Sequence, residues 1–276
     1  MNKIGSKFFS LSQKIKYKLF KEDVFLDYKE ALNSCSKNGY ENNDIIALVK
    51  RKAISYRELI KKEKYLKVKI GVIPLLELVN RISANQEKIV IYDFGGADGI
   101  YYLQLRKCLP LKTKILWYVI ETPEMVNEMK DLESDELKFF DSIENAKQET
   151  GEIPNIFHTS GTLQYTSNPI ENLEKICNAG AEFLVFNRSS LINSEDNLIS
   201  IQTSLLSWHG EGMLPEGFNE KVIKYPHSNI SKKKFEDTLF GNYNILYTYE
   251  DSSGIKKLNQ EDIVGLCYVC QKKMNS

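Results

Sequence analysis

The chain is 276 residues long, 42% hydrophobic and 27% charged, enough apolar material for a packed core, which excludes a disordered tail protein. Its 37 basic and 37 acidic residues cancel, so no global positive field exists to hold a polyanion and general nucleic-acid binding is excluded. Five cysteines are too few for a disulfide scaffold, and an odd number leaves at least one unpaired, which favours a reducing, cytoplasmic setting.

Residues 1–21 stand apart, with Lys3, Lys7, Lys14, Lys16, Lys18 and Lys21 and no acid. Phe8, Leu11, Ile15 and Leu19 recur at helical spacing, giving a basic amphipathic segment. Such a segment either packs on the domain with its lysines in water or lies on an anionic membrane surface as a peripheral contact. The chain has neither an apolar run of membrane-spanning length nor the pattern of a secretory signal, so a soluble or at most surface-attached protein is expected.

Residues 27–85 read as helical, and 1–85 as a helical N-terminal extension. Tyr28–Leu32 opens a short helix, Asn43 and Asp44 cap the next, and Ile73, Leu75, Leu76, Leu78 and Val79 form the apolar side of a third, with Pro74 in its first turn. The pattern then changes. Short apolar runs at 88–93, 115–120, 137–140, 155–158 and 182–186 are separated by helical or turn-rich stretches. That order predicts a parallel, doubly wound α/β sheet over residues 86–276. Runs at 243–249 and 263–269, joined by a polar turn at 251–254, predict an antiparallel hairpin closing the sheet.

The most informative segment is Asp93-Phe-Gly95-Gly96-Ala97-Asp98-Gly99, directly after the first strand. Glycines let the backbone turn sharply there and bring amide groups against a ligand, with the N-terminus of the helix after Tyr101 facing the same space. A dinucleotide fingerprint would need glycine at 95, 97 and 100. The chain has Gly95, Ala97 and Ile100, and the fingerprint fails.

The pattern Asp93-x-Gly95-x-Ala97-x-Gly99 resembles the D-x-G-x-G-x-G motif of class I S-adenosylmethionine-dependent methyltransferases, with alanine for the middle glycine. Glu121, 22 residues beyond Gly99, stands where that class binds the ribose diol, a task a carboxylate suits because it accepts from both hydroxyls. Leu163-Gln164-Tyr165 looks like the element after the fourth strand that borders the methyl group and the acceptor. The resemblance implies a Rossmann-like fold of seven strands. It also implies an S-adenosylmethionine site of Asp93, Gly95, Gly96, Ala97, Gly99, Glu121, Thr122, Asp141, Ser160, Leu163 and Gln164. A narrower likeness rests on Tyr28-Lys-Glu-Ala31, Ser36–Tyr40, Glu121–Val126, Leu163–Tyr165 and Tyr225-Pro226. It is to a family of bacterial methyltransferase-like proteins whose genes often lie among those for surface-polysaccharide synthesis, and it implies a glycan or other small acceptor.

Transfer to a hydroxyl gains from a base that takes its proton. Only His158, His209 and His227 are histidines, and all three are candidates, with a carboxylate base or no base at all as the alternatives. His209 and His227 fall in the segment 193–235, which the resemblance makes an acceptor-side insertion and whose glycines suit a closing lid. Tyr165, Trp208 and Tyr225 are candidates for stacking on a sugar face. Cys267 and Cys270 lie in one strand with no second cysteine pair, so no metal site is expected. Two alternatives stay open: a non-catalytic binding module of the same fold, and an NAD-dependent oxidoreductase.

Overall fold

The computed structural model describes residues 24–25, 27–35, 42–110, 112–250, 256–258 and 261–274. The basic segment 1–21, the Ser36–Tyr40 element and the expected turn at 251–254 lie outside them. No helix among the described residues is long and apolar enough to cross a membrane.

Among the described residues, three helices precede the sheet: α1 (Tyr28–Asn33), α2 (Asn43–Lys62) and α3 (Val72–Ser83). The α2 cap is one residue earlier than the sequence suggests: the Asn42 side chain accepts from the Asp44 N–H at 2.9 Å. On α3 the buried stripe is Val72, Leu75, Leu78, Val79 and Ile82, whereas Ile73 is 54% exposed. Helical periodicity carries Ile73 onto the solvent side of the helix.

The chain then alternates β1 (Lys88–Phe94), α4 (Ile100–Cys108), β2 (Lys114–Ile120), α5 (Pro123–Met129), β3 (Leu137–Phe140), α6 (Ile143–Thr150), β4 (Ile156–Ser160), α7 (Pro169–Asn178) and β5 (Phe183–Ile192). A branch follows, β6 (Leu198–Leu205) paired with β7 (Val222–Ser231). After it come α8 (Lys232–Asn242), β8 (Tyr243–Glu250), β9 (Lys256–Leu258) and β10 (Glu261–Lys272). The main path of the sheet runs β3-β2-β1-β4-β5-β10-β8. Its first five strands are parallel, and β10 is antiparallel to both β5 and β8. This is the Rossmann-like, mostly parallel sheet with an antiparallel edge that the strand order in the sequence predicts.

Alternation along the buried strands divides the core into two layers. Ile89 and Ile91 of β1 pack with α2, α3, α4 and α5, while Val90 and Tyr92 pack with α6, α7 and α8. The segment 193–235 is not a loop: it is largely the β6–β7 hairpin, whose far end joins β5 through Leu191–Ile230 and Ile192–Ser231. The strand order reverses between β1 and β4, so the turns after these strands flank the crevice where such sheets take ligands.

Candidate active site

The floor of this crevice is a row of polar side chains on one face of the sheet. Trp117 Nε1 donates to Asp93 Oδ2 at 3.1 Å, and His158 Nδ1 lies 2.7 Å from Asp93 Oδ1. Asn187 Nδ2 reaches His158 Nε2 at 2.9 Å and the Gly71 carbonyl at 3.3 Å, and Tyr249 donates its hydroxyl to Asn187 Oδ1 at 2.6 Å. Because Asn187 presents its amide N–H, His158 Nε2 accepts and its proton sits on Nδ1, facing the carboxylate. His158 is fully buried with both ring nitrogens engaged. It ties strand ends together beneath the crevice and is not positioned to take a proton from a ligand above it.

Over this floor lies the glycine turn. Gly95, Ala97 and Gly99 all adopt positive φ, at 70°, 49° and 73°, so Ala97 keeps the left-handed conformation at a cost of about 1–2 kcal/mol. The Ala97 N–H donates to Glu121 Oε1 at 3.0 Å, and the Thr122 N–H to Oε2 at 3.1 Å. The carboxylate at the end of β2 is thereby held against the tip of the turn after β1. Gly96 is glycine because a Cβ would overlap the Asp93 carboxylate, and a Cβ on Gly95 would overlap the Thr162 side chain. Thr162 thus spans the crevice from the β4 side and narrows the space over the first glycine. Asp98 is buried, with Oδ2 lacking a hydrogen-bond partner, and burial raises its pKa.

Thr122 caps α5 by accepting from the Met125 N–H at 3.4 Å. Asp141 is exposed and takes the Asn145 side-chain amide at 2.6 Å at the start of α6. Ser160 ends β4, with its Oγ 2.8 Å from the Tyr101 hydroxyl and 3.1 Å from Arg188 Nε. Leu163 is buried, and Gln164 donates to the Arg188 carbonyl at 3.1 Å.

The hairpin brings four of the acceptor-side candidates together. The Tyr165 ring stands edge-on to Tyr225 and to His227, each at 5.3 Å between centroids, and His209 lies 5.9 Å from Tyr225. A chain of hydrogen bonds links three of them, Tyr165, Tyr225 and His209. Tyr165 donates to Gln202 Oε1 at 3.1 Å, Gln202 Nε2 to the Tyr225 hydroxyl at 3.3 Å, and Tyr225 to Ser204 Oγ at 3.1 Å. Ser204 Oγ in turn lies 3.0 Å from His209 Nε2. Burial, aided by the Lys52 charge, holds the His209 pKa down at about 4, so the ring is neutral. Trp208 is 40% exposed at the rim.

The N-terminal helices roof this side. Tyr28 donates to the Tyr165 carbonyl at 2.6 Å, the buried Lys52 to the Ser207 carbonyl at 2.7 Å, and Lys69 pairs with Glu211 at 3.4 Å.

No protein-family model matches the chain, and no curated protein does either. Solved structures with a similar overall shape exist. The N-terminal domain of EvdMO1 with S-adenosylhomocysteine bound is 12% identical, with a TM-score of 0.45, over 75% of this chain and 83% of that one. CalS10, an amino-pentose methyltransferase from Micromonospora echinaspora, is 10% identical with a TM-score of 0.45, over 77% and 99%. DesVI of Streptomyces venezuelae is 10% identical with a TM-score of 0.48, over 81% and 98%. Likeness at this level transfers no residue role, and what the site can do rests on its own side chains.

Several residues of the site carry no signal in the sequence. Trp117, Asn187 and Tyr249 join the floor only through strand register. Gln202 and Ser204 become visible only once the run Leu198–Leu205 is read as a strand. Arg188 looks like an ordinary residue near the end of a strand.

Proposed function

We propose that this chain is an S-adenosylmethionine-dependent methyltransferase acting on a hydroxyl of a carbohydrate or other small acceptor, with surface-polysaccharide synthesis as its setting. The observation that carries this reading is Glu121, held by the Ala97 N–H at the tip of the glycine turn. This sets a half-buried carboxylate at the carboxyl end of β2, beside the switch point of the sheet. A carboxylate there fits a vicinal diol, because each oxygen keeps a lone pair for a hydroxyl beside its backbone N–H bond. Gly95, Gly96, Ala97 and Gly99 would line the rest of the nucleoside's path, with Asp93 buried below them fixing the turn.

The cofactor supplies an activated methyl group on a sulfonium, so the protein's work is alignment and exclusion of water, worth about 7–11 kcal/mol of a barrier. Tyr165 and Tyr225 form the wall, and Trp208 at the rim offers an apolar face to a sugar ring. For the acceptor's proton we favour His227. His158 is sealed in the floor, and His209 is engaged by Ser204 and has a pKa too low for an efficient base near neutrality.

Thermal melting tests the reading. S-adenosylhomocysteine at about 100 times its dissociation constant adds about 2.7 kcal/mol of stability, whereas a shift with NAD alone would assign the chain to the oxidoreductases. Thr162 over Gly95 favours a second reading, a binding module that transfers nothing. It predicts S-adenosylhomocysteine binding too weak to register, or binding without label transfer from methyl-labelled cofactor to any component of a cell extract.

A further inference from the structure

Arg188 is held in the left-handed conformation, φ 55°, within β5. Its N–H donates to Cys267 Sγ at 3.3 Å and its carbonyl accepts from Gln164 at 3.1 Å, so both sides of the strained residue are tied. Strain of this kind persists only where the surroundings over-determine it, and it concentrates at ligand clamps. The kink delivers the guanidinium to the carboxyl end of β4. There Nε donates to Ser160 Oγ at 3.1 Å and Nη2 to the Ser160 carbonyl at 2.9 Å. The group lies so close over Gly161 that a Cβ on that glycine would come within 3.1 Å of Nη2. Arg188 is nevertheless exposed, while Ser160, Asn187 and Ser189 around it are buried. Burial raises the Tyr101 and Tyr165 hydroxyls, and the Arg188 charge opposes that at both. Through Ser160 it connects to Tyr101 beside the glycine turn, and through Gln164 to the element that carries Tyr165, so it stands between the glycine-turn half of the crevice and the hairpin half.

We propose that Arg188 is a carboxylate anchor for the molecule bound in this crevice. A guanidinium pinned in one plane is suited to a carboxylate, which it grips through paired, charge-assisted hydrogen bonds. The inference rests on the crevice being the binding site, as in the proposed function. The carboxylate has two possible sources: the amino-acid tail of the sulfur nucleoside, or an acid on the acceptor such as a hexuronate.

The experiment compares wild type with Arg188→Gln by calorimetry using S-adenosylhomocysteine and 5′-methylthioadenosine, which lacks the carboxylate. Saturation-transfer NMR on the same proteins uses D-glucuronate and D-glucose. A loss of roughly ten- to a hundredfold in S-adenosylhomocysteine affinity, with 5′-methylthioadenosine unchanged, assigns the anchor to the nucleoside's tail. Unchanged nucleoside binding, with a glucuronate signal that disappears in the variant and no glucose signal in either protein, assigns it to the acceptor. If wild type binds neither nucleoside, the methyl-transfer reading fails and the glucuronate arm alone decides the anchor. Equal loss of carboxylate and carboxylate-free probes, equal binding of all probes by both proteins, or no carboxylate probe bound by wild type overturns it. Arg188→Gly, which relieves the backbone strain, is expected to fold at least as stably and show the same selective loss, so the test survives if the glutamine variant misfolds.

Discussion

His158 and Asp93 meet at 2.7 Å with neither side chain more than 1% exposed, and the other Asp93 oxygen takes the Trp117 indole N–H. Asp93→Asn keeps the shape but puts an amide N–H opposite one of two donors. Losing a buried hydrogen bond to a charged group costs about 1.5–3 kcal/mol. Urea denaturation should show that loss as a lower midpoint with an unchanged slope. A variant as stable as wild type would mean that the floor is not holding the strand ends.

The glycine turn can be tested by contrast with a glycine of similar backbone conformation. Gly95 and Gly151 have φ of 70° and 68°, but a Cβ at Gly151 meets nothing within 4 Å, whereas at Gly95 it overlaps Thr162. Gly151→Ala carries only the conformational cost of about 1–2 kcal/mol. Gly95→Ala is expected to cost a further 1–3 kcal/mol or so from overpacking. Thr162→Gly in the Gly95→Ala background, which also removes the Thr162 Cβ 2.6 Å from the added methyl, should recover much of that difference, a coupling that a double-mutant cycle measures directly. Additive effects would show that Thr162 does not occupy the space over the turn.

These two contacts mark how far the sequence is legible. The mostly parallel sheet with its antiparallel edge and the tight turn after β1 follow from apolar runs and local spacing, because a strand buried on both faces and a tight turn leave marks within a few residues. Asp93 and His158 are 65 residues apart, and only parallel register brings them together. The β6–β7 hairpin escapes for a different reason. From Tyr225 to Ser231 every residue is buried, yet His227, Ser228, Asn229 and Ser231 are polar, so the hydrophobic alternation that announces a strand is missing. Arg188 has no local signature at all, since its left-handed backbone is imposed by Cys267 and Gln164 from other segments.

Glu121→Gln separates ligand recognition from folding. The amide keeps one acceptor for the Ala97 or Thr122 N–H but turns an N–H toward the other. In the proposed function it also loses half of its capacity to accept from a diol. Hydrogen bonds to a charged group contribute about 1.5–3 kcal/mol, so calorimetry should find S-adenosylhomocysteine bound roughly ten- to a hundredfold more weakly. Adenine, which has no diol, serves as the control probe. Unchanged S-adenosylhomocysteine affinity would remove Glu121 from the site.

His209 makes stability depend on acid. Its folded pKa of about 4 lies below the ordinary histidine value of 6.5, so the unfolded chain binds the proton more readily than the folded one. The stabilisation is therefore complete above about pH 6.5 and is lost as pH falls toward 4. A difference of this size corresponds to about 3 kcal/mol. Burial is the main cause, and the Lys52 charge adds to it while Glu220 pulls the other way. His209→Gln replaces the ring with a group that does not titrate. Between pH 7.5 and 4.5, wild type should lose roughly 2–3 kcal/mol more than the variant in denaturant midpoints converted at each pH. Lys52→Met, by removing the neighbouring cation, should raise the folded pKa and narrow the window from its lower end. Parallel pH profiles for wild type and His209→Gln would mean that the ring is not held neutral beneath Ser204.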